Sequence, residues 1–248
     1  MSDRSALYML KIALSQPGLM RLGKQLGLPV RDVDAGYLVH CMLGELFGDV
    51  APAPFDIRRN SGRWLDILAY SGTGVEELRR RADTFADPER HQAVDWDRFH
   101  QKRMPRTWPE GQTLGFNVRV CPVVRAASDT EHYSKGSEVD AFLTRCTEAD
   151  DHENVPSREE VYREWFHDQI ARAGGAEAMA LSMHAFQLRK LTRRKQGGDR
   201  KTRVFTRPDA RLEGVLRIVE ADGFGDLLER GIGRHRAFGF GMMLLRPT

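Results

Sequence analysis

The sequence is poor in cysteine and has no long hydrophobic run. Its 248 residues include three cysteines, which lie far apart and form no Cys-x-x-Cys pair. Neither a zinc site nor a disulfide framework is therefore predicted. The apolar stretch ALYMLKIAL near the N-terminus is interrupted by Lys11, whereas a membrane span needs about 20 apolar residues. Because no cleavage-site pattern follows this stretch, we expect a cytoplasmic protein in a reducing compartment.

Several common catalytic signatures are missing as well. The sequence contains no Gly-x-Ser-x-Gly elbow and no phosphate-binding P-loop, so serine hydrolysis and nucleotide hydrolysis have no support. Its eight histidines form no His-Glu-x-x-His motif or other spacing typical of metal ligands. We therefore expect no metal and no other cofactor.

Lysine is scarce, and the positive charge is concentrated in one segment. Arginine outnumbers lysine by 31 to 7, a bias that suits forked contacts with phosphate. Residues 187–211 hold ten Lys or Arg against two Asp, a net charge of +8, while the rest of the chain carries −5. Such a basic segment on an otherwise acidic protein indicates a nucleic-acid site. A solvated loop is the alternative.

Hydrophobic periodicity predicts two similar halves, each with the element order β-α-β-β-α-β. The predicted elements of the first half are a strand at 6–14, a helix over 34–48, a strand pair at 54–59 and 64–70, a helix over 74–85 and an edge strand within 86–113. Those of the second half are a strand over 114–125, a helix over 157–174, two strands at 181–195 and 201–220, a short helix over 223–231 and a final strand at 242–245. We assign no element to residues 15–33.

This order predicts an α+β protein with tandem ferredoxin-like domains, in which each antiparallel sheet is backed by two helices. The predicted domains are residues 1–108 and 109–248. RNA-recognition modules share this fold, but a fold alone does not give a function.

The helix over 34–48, with Asp34 as its expected N-cap, has two distinct faces. One broad arc is apolar and should pack on the sheet; it holds Val39, Met42, Leu43, Leu46 and Phe47. Tyr37 and His40 lie together on a different side, at i and i+3. A histidine beside a tyrosine hydroxyl can cleave RNA by general acid–base catalysis, in which one group takes the 2′-hydroxyl proton and another protonates the 5′-oxygen. A surface histidine without a role is the alternative.

The segment GIGRHRAFGFGMMLLRP, residues 231–247, combines glycines with positive charge. Its glycines allow a close backbone approach and are Gly231, Gly233, Gly239 and Gly241. A dinucleotide-binding loop would need a long helix and a second strand beyond it, and neither follows here. We therefore predict a loop that lies against upstream structure, suits a polyanion and leads into a final buried strand.

These segments resemble the CRISPR repeat-processing endoribonucleases of the CasE type, a subunit of the type I-E Cascade complex. The resemblance lies in YLVH followed by LFG in the helix over 34–48, in PEGQTLGFNVRVCPVVR, and in LEGVLRIVEADGFGDLLERGIGRHRAFGFGMMLLRP. It implies a protein with tandem ferredoxin-like domains that binds the stem-loop of a CRISPR repeat RNA. Such a protein cuts at the 3′ base of the stem without metal, leaves a 2′,3′-cyclic phosphate and a 5′-hydroxyl, and stays bound to the product within Cascade.

The resemblance also implies roles for particular residues. His40 and Tyr37 take the positions of the catalytic pair. The implied RNA-phosphate contacts of the basic segment are Arg193, Arg194, Lys195, Arg200, Lys201 and Arg203, with Lys135 as a further candidate. Arg234 and Arg236 are candidates for structural or RNA contacts, and Phe238 and Phe240 are expected to pack in the core. A non-catalytic RNA-binding module of the same fold and a purely structural subunit are the alternatives.

Overall fold

A computed structural model describes residues 6–28, 34–105, 107–129, 131, 133–148, 156–194 and 202–248. The strands are β1 (Tyr8–Ser15), β2 (Phe55–Ser61), β3 (Trp64–Ser71), β4 (His100–Arg103), β5 (Thr113–Val120), β6 (Val123–Arg125), β7 (Glu138–Asp140), β8 (Ala176–Arg194), β9 (Thr202–Ile218) and β10 (Met243–Arg246). The α-helices are α1 (Gln16–Gln25), α2 (Ala35–Phe47), α3 (Val75–Phe85), α4 (Pro88–His91), α5 (Ala141–Glu148), α6 (Arg158–Ala173) and α7 (Ala221–Arg230).

Two four-stranded sheets have the same topology. Their strand orders are β2-β3-β1-β4 and β10-β5-β9-β8, and every neighbouring pair is antiparallel. In each sheet the first strand of the half lies between the third and the fourth, which is the arrangement of a ferredoxin-like domain. The predicted fold, α+β with tandem ferredoxin-like domains, is confirmed.

Helix α2 forms where the sequence predicts it. The Asp34 side chain accepts a hydrogen bond from the Tyr37 backbone N–H at 3.3 Å, which satisfies one of the unpaired donors of the first turn. Gly48 ends the helix with a φ of +61°, a conformation that favours glycine. The apolar face of α2 packs in a core with β1 and β3.

Helix α1 was not predicted, although Ser15 caps it and Pro17 stands in its first turn. Its glycines weaken the local helical signal, because each lowers helix propensity by about 1 kcal/mol relative to alanine. They are needed for close packing. A Cβ on Gly18 would lie 2.8 Å from the Ala93 Cβ, and one on Gly23 would lie 3.0 Å from a Leu38 methyl. Helix α5 was missed as well.

The two halves meet through polar contacts. The Tyr70 hydroxyl on β3 donates a hydrogen bond to the backbone carbonyl of Met243 at 2.9 Å. Arg211 on β9 binds Asp56 on β2, with an Nη2–Oδ1 distance of 3.2 Å. These contacts join β2 and β3 of the N-terminal sheet to β9 and β10 of the C-terminal sheet. Within the described ranges, no helix has both the length and the apolar character that a membrane crossing requires.

Strands β8 and β9 form a long hairpin whose ladder runs from Ala176↔Ile218 to Arg194↔Thr202. The prediction of two strands around the basic segment is confirmed. The central strand β5 pairs with β9 only as far as Ala210, so the far part of the hairpin continues beyond the four-stranded sheet.

Candidate active site

Tyr37 and His40 lie one turn apart on α2, outside its packed face. All five apolar residues of the predicted packing arc are buried, whereas His40 is exposed and Tyr37 is half-buried. The centroids of the Tyr37 and His40 rings are 6.3 Å apart. The predicted arrangement of the two side chains is therefore present, with the imidazole open to a substrate and the phenol partly enclosed.

The Tyr37 ring is supported by the glycine-rich loop, residues 231–242. The ring of Phe238 stacks on Tyr37 with a centroid distance of 5.5 Å and an angle of 24°. Phe238 and Phe240 are both buried and share a small core with Leu191 and Cys121, which confirms their predicted packing role. This small core, contributed by widely separated chain segments, lies directly behind the candidate site.

The glycines of this loop serve its own backbone packing. Gly231, Gly233, Gly239 and Gly241 all have positive φ. The Ile232 N–H donates to the Gly241 carbonyl at 2.9 Å, and the Gly241 N–H donates to the Arg119 carbonyl on β5 at 2.7 Å. A Cβ on Gly241 would lie 2.4 Å from the Ile232 carbonyl oxygen. As predicted, the loop lies against upstream structure and leads into a strand, β10, which pairs with β5.

Helix α2 touches the same loop through Gly36. A Cβ at this position would lie 2.1 Å from the carbonyl oxygen of Phe238 and 2.5 Å from its carbonyl carbon. Because both atoms belong to the backbone, a side chain at Gly36 would push the loop and the helix apart. Gly36 thus sets the spacing at which Phe238 stacks on Tyr37.

We expect Gly36→Ala to destabilise the protein by about 1–3 kcal/mol, the usual cost of overpacking. Gly44→Ala on the same helix is the matched control, because a Cβ there has no atom within 4 Å. This control should raise the free energy of unfolding by up to about 1 kcal/mol through better helix propensity. Urea unfolding measures both values, and a shift of the same sign in the two variants would contradict the close contact at Gly36.

A buried carboxylate, Asp209 on β9, connects the loop to β5. Arg119 donates from Nε and Nη2 to the two Asp209 oxygens at 2.8 and 2.9 Å. Its Nη1 donates to the Phe238 carbonyl at 3.1 Å, and its guanidinium lies 4.1 Å from the Phe240 ring centroid. Burial alone would raise the pKa of the Asp209 carboxyl, but Arg119 and Arg189 outweigh burial and hold that pKa below its ordinary value. The loop that supports Tyr37 is therefore fixed to a charged side chain of the C-terminal sheet.

Arg189 on β8 extends this cluster to the N-terminus of α2. Its Nε donates to Asp209 at 2.7 Å, and its Nη1 lies 3.6 Å from an oxygen of Asp34. Burial raises the pKa of the Asp34 carboxyl above its ordinary value, against the opposing charges of Arg119 and Arg189. We call Arg119, Asp209, Arg189 and Asp34 the junction cluster. It joins the cap of α2 to the hairpin.

Glu138 on β7 binds two residues of the loop and one residue of β9. Its carboxylate contacts His235 Nε2 at 2.8 Å, Arg234 Nε at 3.0 Å and Arg207 Nη2 at 3.2 Å. The hydrogen bond from His235, together with the nearby arginine, lowers the pKa of Glu138 to about 2. His235 adopts a left-handed backbone conformation with a φ of +61°, which is uncommon for a residue other than glycine. This contact holds the loop in that conformation.

In the described residues no group of three or more His, Cys, Asp or Glu side chains is arranged to hold a metal ion.

Comparison with known proteins shows the family to which the chain is related. A family model described as "CRISPR associated protein" matches residues 7–247. The chain belongs to this family.

Solved structures share the fold of this CRISPR-associated protein. A CRISPR endoribonuclease Cse3 bound to 19-nucleotide RNA has a TM-score of 0.64 and 16% identity, over 98% of this chain and 100% of that chain. Cas6e from Escherichia coli K-12 has a TM-score of 0.55 and 18% identity, over 97% and 100%. A chain of a CRISPR RNA-guided surveillance complex has a TM-score of 0.59 and 15% identity, again over 97% and 100%. A search of curated protein sequences gave no match.

The predicted RNA-binding residues of this CRISPR-associated protein fall in different places. Arg193 and Arg203 lie opposite each other in the hairpin, and Arg194 lies opposite Thr202. Lys135 is exposed, and its backbone N–H donates to Asp129 at 2.8 Å. Lys195, Arg200 and Lys201 lie outside the described residues.

The two loop arginines have structural contacts. Arg234 binds Glu138, and Arg236 donates a hydrogen bond to the backbone carbonyl of Arg230. Of the two expected roles, a structural role and an RNA contact, the structure of this CRISPR-associated protein provides the first for both side chains. Their binding of RNA stays a prediction.

Sequence reasoning missed the junction cluster and Glu138. Asp34 was recognised as a cap, and Arg189 was counted in the basic segment, but nothing in the sequence indicated that the two meet. Arg119 and Asp209 are 90 positions apart, so only the fold brings them together. The available signal was Asp209 itself, an acidic residue in a segment that is otherwise basic.

Proposed function

We propose that this CRISPR-associated protein is an endoribonuclease that binds the stem-loop of a CRISPR repeat RNA and cuts at the 3′ base of the stem. The observation that carries this proposal is the exposed His40 imidazole beside a Tyr37 ring on which Phe238 stacks. A side chain used for proton transfer must be both accessible and positioned. The fold likeness to a CRISPR endoribonuclease bound to RNA supports the assignment.

The proposed reaction is an internal transfer at phosphorus. The 2′-oxygen attacks the adjacent phosphate while its proton passes to a base, and the bond from phosphorus to the 5′-oxygen breaks. An acid protonates the departing 5′-oxygen. The products are a 2′,3′-cyclic phosphate and a 5′-hydroxyl, with no water consumed. His40 and Tyr37 divide these two proton transfers between them, because one imidazole cannot begin in both protonation states. We propose that no metal takes part.

The β8–β9 hairpin is the proposed RNA grip. Arg193 and Arg203 are directly opposite each other in its ladder, and like charges at such positions repel. A phosphate group between them would relieve this repulsion. A-form RNA has a deep, narrow major groove, so recognition through phosphates and shape is expected. The other proposed contacts are Arg194, Lys195, Arg200, Lys201 and Lys135.

We further propose that the protein stays bound to its product as a subunit of Cascade and acts in the cytoplasm. The likeness to a chain of a CRISPR RNA-guided surveillance complex supports the subunit role. The same proposal keeps the division into domains 1–108 and 109–248, since one sheet ends at Arg103 and the other begins at Thr113.

The test is to incubate the purified protein in EDTA with a hairpin RNA from the CRISPR array beside its gene. We expect one cut at the 3′ base of the stem, with a cyclic phosphate on the upstream product. A 2′-deoxy substitution at the scissile nucleotide should prevent that cut, because it removes the attacking oxygen. Binding without cleavage would leave a non-catalytic RNA-binding module, and absence of both would leave a structural subunit.

Binding of the same RNA at several salt concentrations tests the proposed grip. If the hairpin neutralises several phosphates, the logarithm of the binding constant should fall linearly with the logarithm of the salt concentration, and the slope should become steeper with each phosphate that is neutralised. A slope near zero would contradict a grip built from arginine and lysine.

A further inference from the structure

Arg189 lies where three functional parts of the molecule meet. It is on β8, four residues before Arg193, in the part of the hairpin that continues beyond the four-stranded sheet. Its side chain reaches Asp209 with Nε and Asp34 with Nη1. Asp34 in turn caps α2, the helix that carries His40. One side chain thus bridges the hairpin, the C-terminal sheet and the start of the candidate catalytic helix.

Both supports of Tyr37 lead back to this cluster. Its backbone N–H is held by Asp34, which Arg189 contacts. Its ring stacks on Phe238, whose carbonyl is held by Arg119. Arg119 and Arg189 share the Asp209 carboxylate. A movement of the hairpin at Arg189 therefore acts on the position of Tyr37 through two separate contacts.

The geometry distinguishes Arg189 from Arg119 within the cluster. The Arg119 side chain is 9% exposed and donates hydrogen bonds from all three of its nitrogens, whereas the Arg189 side chain is 37% exposed. The distance from Arg189 to Asp34 is 3.6 Å, which is longer than a typical hydrogen bond. Arg119 is thus a fixed structural element, and the Arg189–Asp34 contact is the adjustable link between the hairpin and α2.

We propose that Arg189 is a positioning residue that couples the β8–β9 hairpin to helix α2, so that the rate of RNA cleavage depends on it and the affinity for RNA does not. This inference rests on the proposed endoribonuclease function. It assigns to Arg189 a role different from that of the arginines farther along the hairpin, which are proposed to contact RNA phosphates.

The first test separates rate from affinity. Arg189→Met keeps an unbranched apolar stem like that of arginine and removes the charged guanidinium. We expect the single-turnover cleavage rate at saturating protein to fall by about 10-fold, because small displacements of catalytic groups have large effects on rate. The dissociation constant should change less than about threefold. Arg189→Lys should recover part of the rate, since a lysine keeps the charge but lacks the fork that reaches two carboxylates.

Arg217→Met is the matched control for this test. Arg217 is on β9 and pairs with Glu177 on β8, so it also bridges the two hairpin strands, but both side chains are more than 40% exposed. Rate and affinity should stay unchanged in this variant. The proposal is overturned if Arg189→Met weakens RNA binding as much as it slows cleavage, which would identify an RNA contact, or if it changes neither.

A second measurement does not depend on cleavage. Hydrogen exchange of the Tyr37 backbone amide in the RNA-free protein reports on the cap of α2. This exchange should become several-fold faster in Arg189→Met than in the wild type and stay unchanged in Arg217→Met. If the wild type binds the RNA without cutting it, the proposed function fails while the exchange result still tests the coupling. Unchanged exchange in Arg189→Met would overturn the coupling itself.

Discussion

His40→Ala is expected to lower the single-turnover cleavage rate by about 10²–10⁴-fold, the usual contribution of a general acid or base. The affinity for the hairpin RNA should change little, because binding is assigned to the β8–β9 hairpin and not to α2. His40 is exposed, so its replacement leaves the core of α2 intact and the variant should fold. Rate and dissociation constant are measured separately, the first at saturating protein.

His167→Ala is the control for a general effect of removing a histidine. His167 is exposed on α6, a helix that contributes no residue to the Tyr37–His40 pair. Its replacement should leave the cleavage rate and the dissociation constant unchanged. Cleavage by His40→Ala at the wild-type rate would remove His40 from the mechanism. A loss of RNA binding in that variant would indicate a binding role in place of a catalytic one.

Asp209→Asn should cause the largest loss of stability. The Asp209 side chain is 6% exposed and neutralises two arginines, Arg119 and Arg189. Removing one partner of a buried ion pair costs about 3–5 kcal/mol, because it leaves an uncompensated charge in the interior. For a protein of this size the melting temperature should fall by about 10 °C. Calorimetry or thermal unfolding followed by circular dichroism gives this value.

Asp168→Asn removes the same kind of charge from an exposed ion pair. Asp168 and Arg172 lie one turn apart on α6, and both side chains are more than two-thirds exposed. The effect should be within about 0.5 kcal/mol, since exposed ion pairs contribute little. If the two variants lost similar stability, Asp209 would not be the centre of the junction cluster.

Local patterns predicted those parts of the fold that depend on local physics. The helix over 34–48 has a cap, an apolar arc and a terminal glycine, and all three agree with the structure. The two strands around the basic segment were predicted from their alternating apolar residues. Helix α1 was missed because Gly18 and Gly23 lower its propensity, and only their contacts with Ala93 and Leu38 explain them.

Charge counting identified the basic segment but overstated the charge that faces a ligand. Arg189, Arg207 and Arg211 belong to that segment, and each binds a carboxylate of the protein: Asp209, Glu138 and Asp56. Sequence composition cannot show which arginines of a basic segment are paired in this way. The helical-wheel projection, by contrast, correctly placed Tyr37 and His40 on the same side of the helix. Which residues share a helix face can be predicted without knowledge of the tertiary structure.

The support of Tyr37 by Phe238 has a consequence for the order of synthesis. His40 leaves the ribosome nearly 200 residues before Phe238 does, a delay of about 10–40 s at 5–20 residues per second. During that interval the nascent chain carries Tyr37 without the ring that stacks on it and without the hairpin. The complete site is therefore assembled only when the glycine-rich loop reaches it. Until then, an unfinished chain carries His40 beside a tyrosine that Phe238 does not yet support.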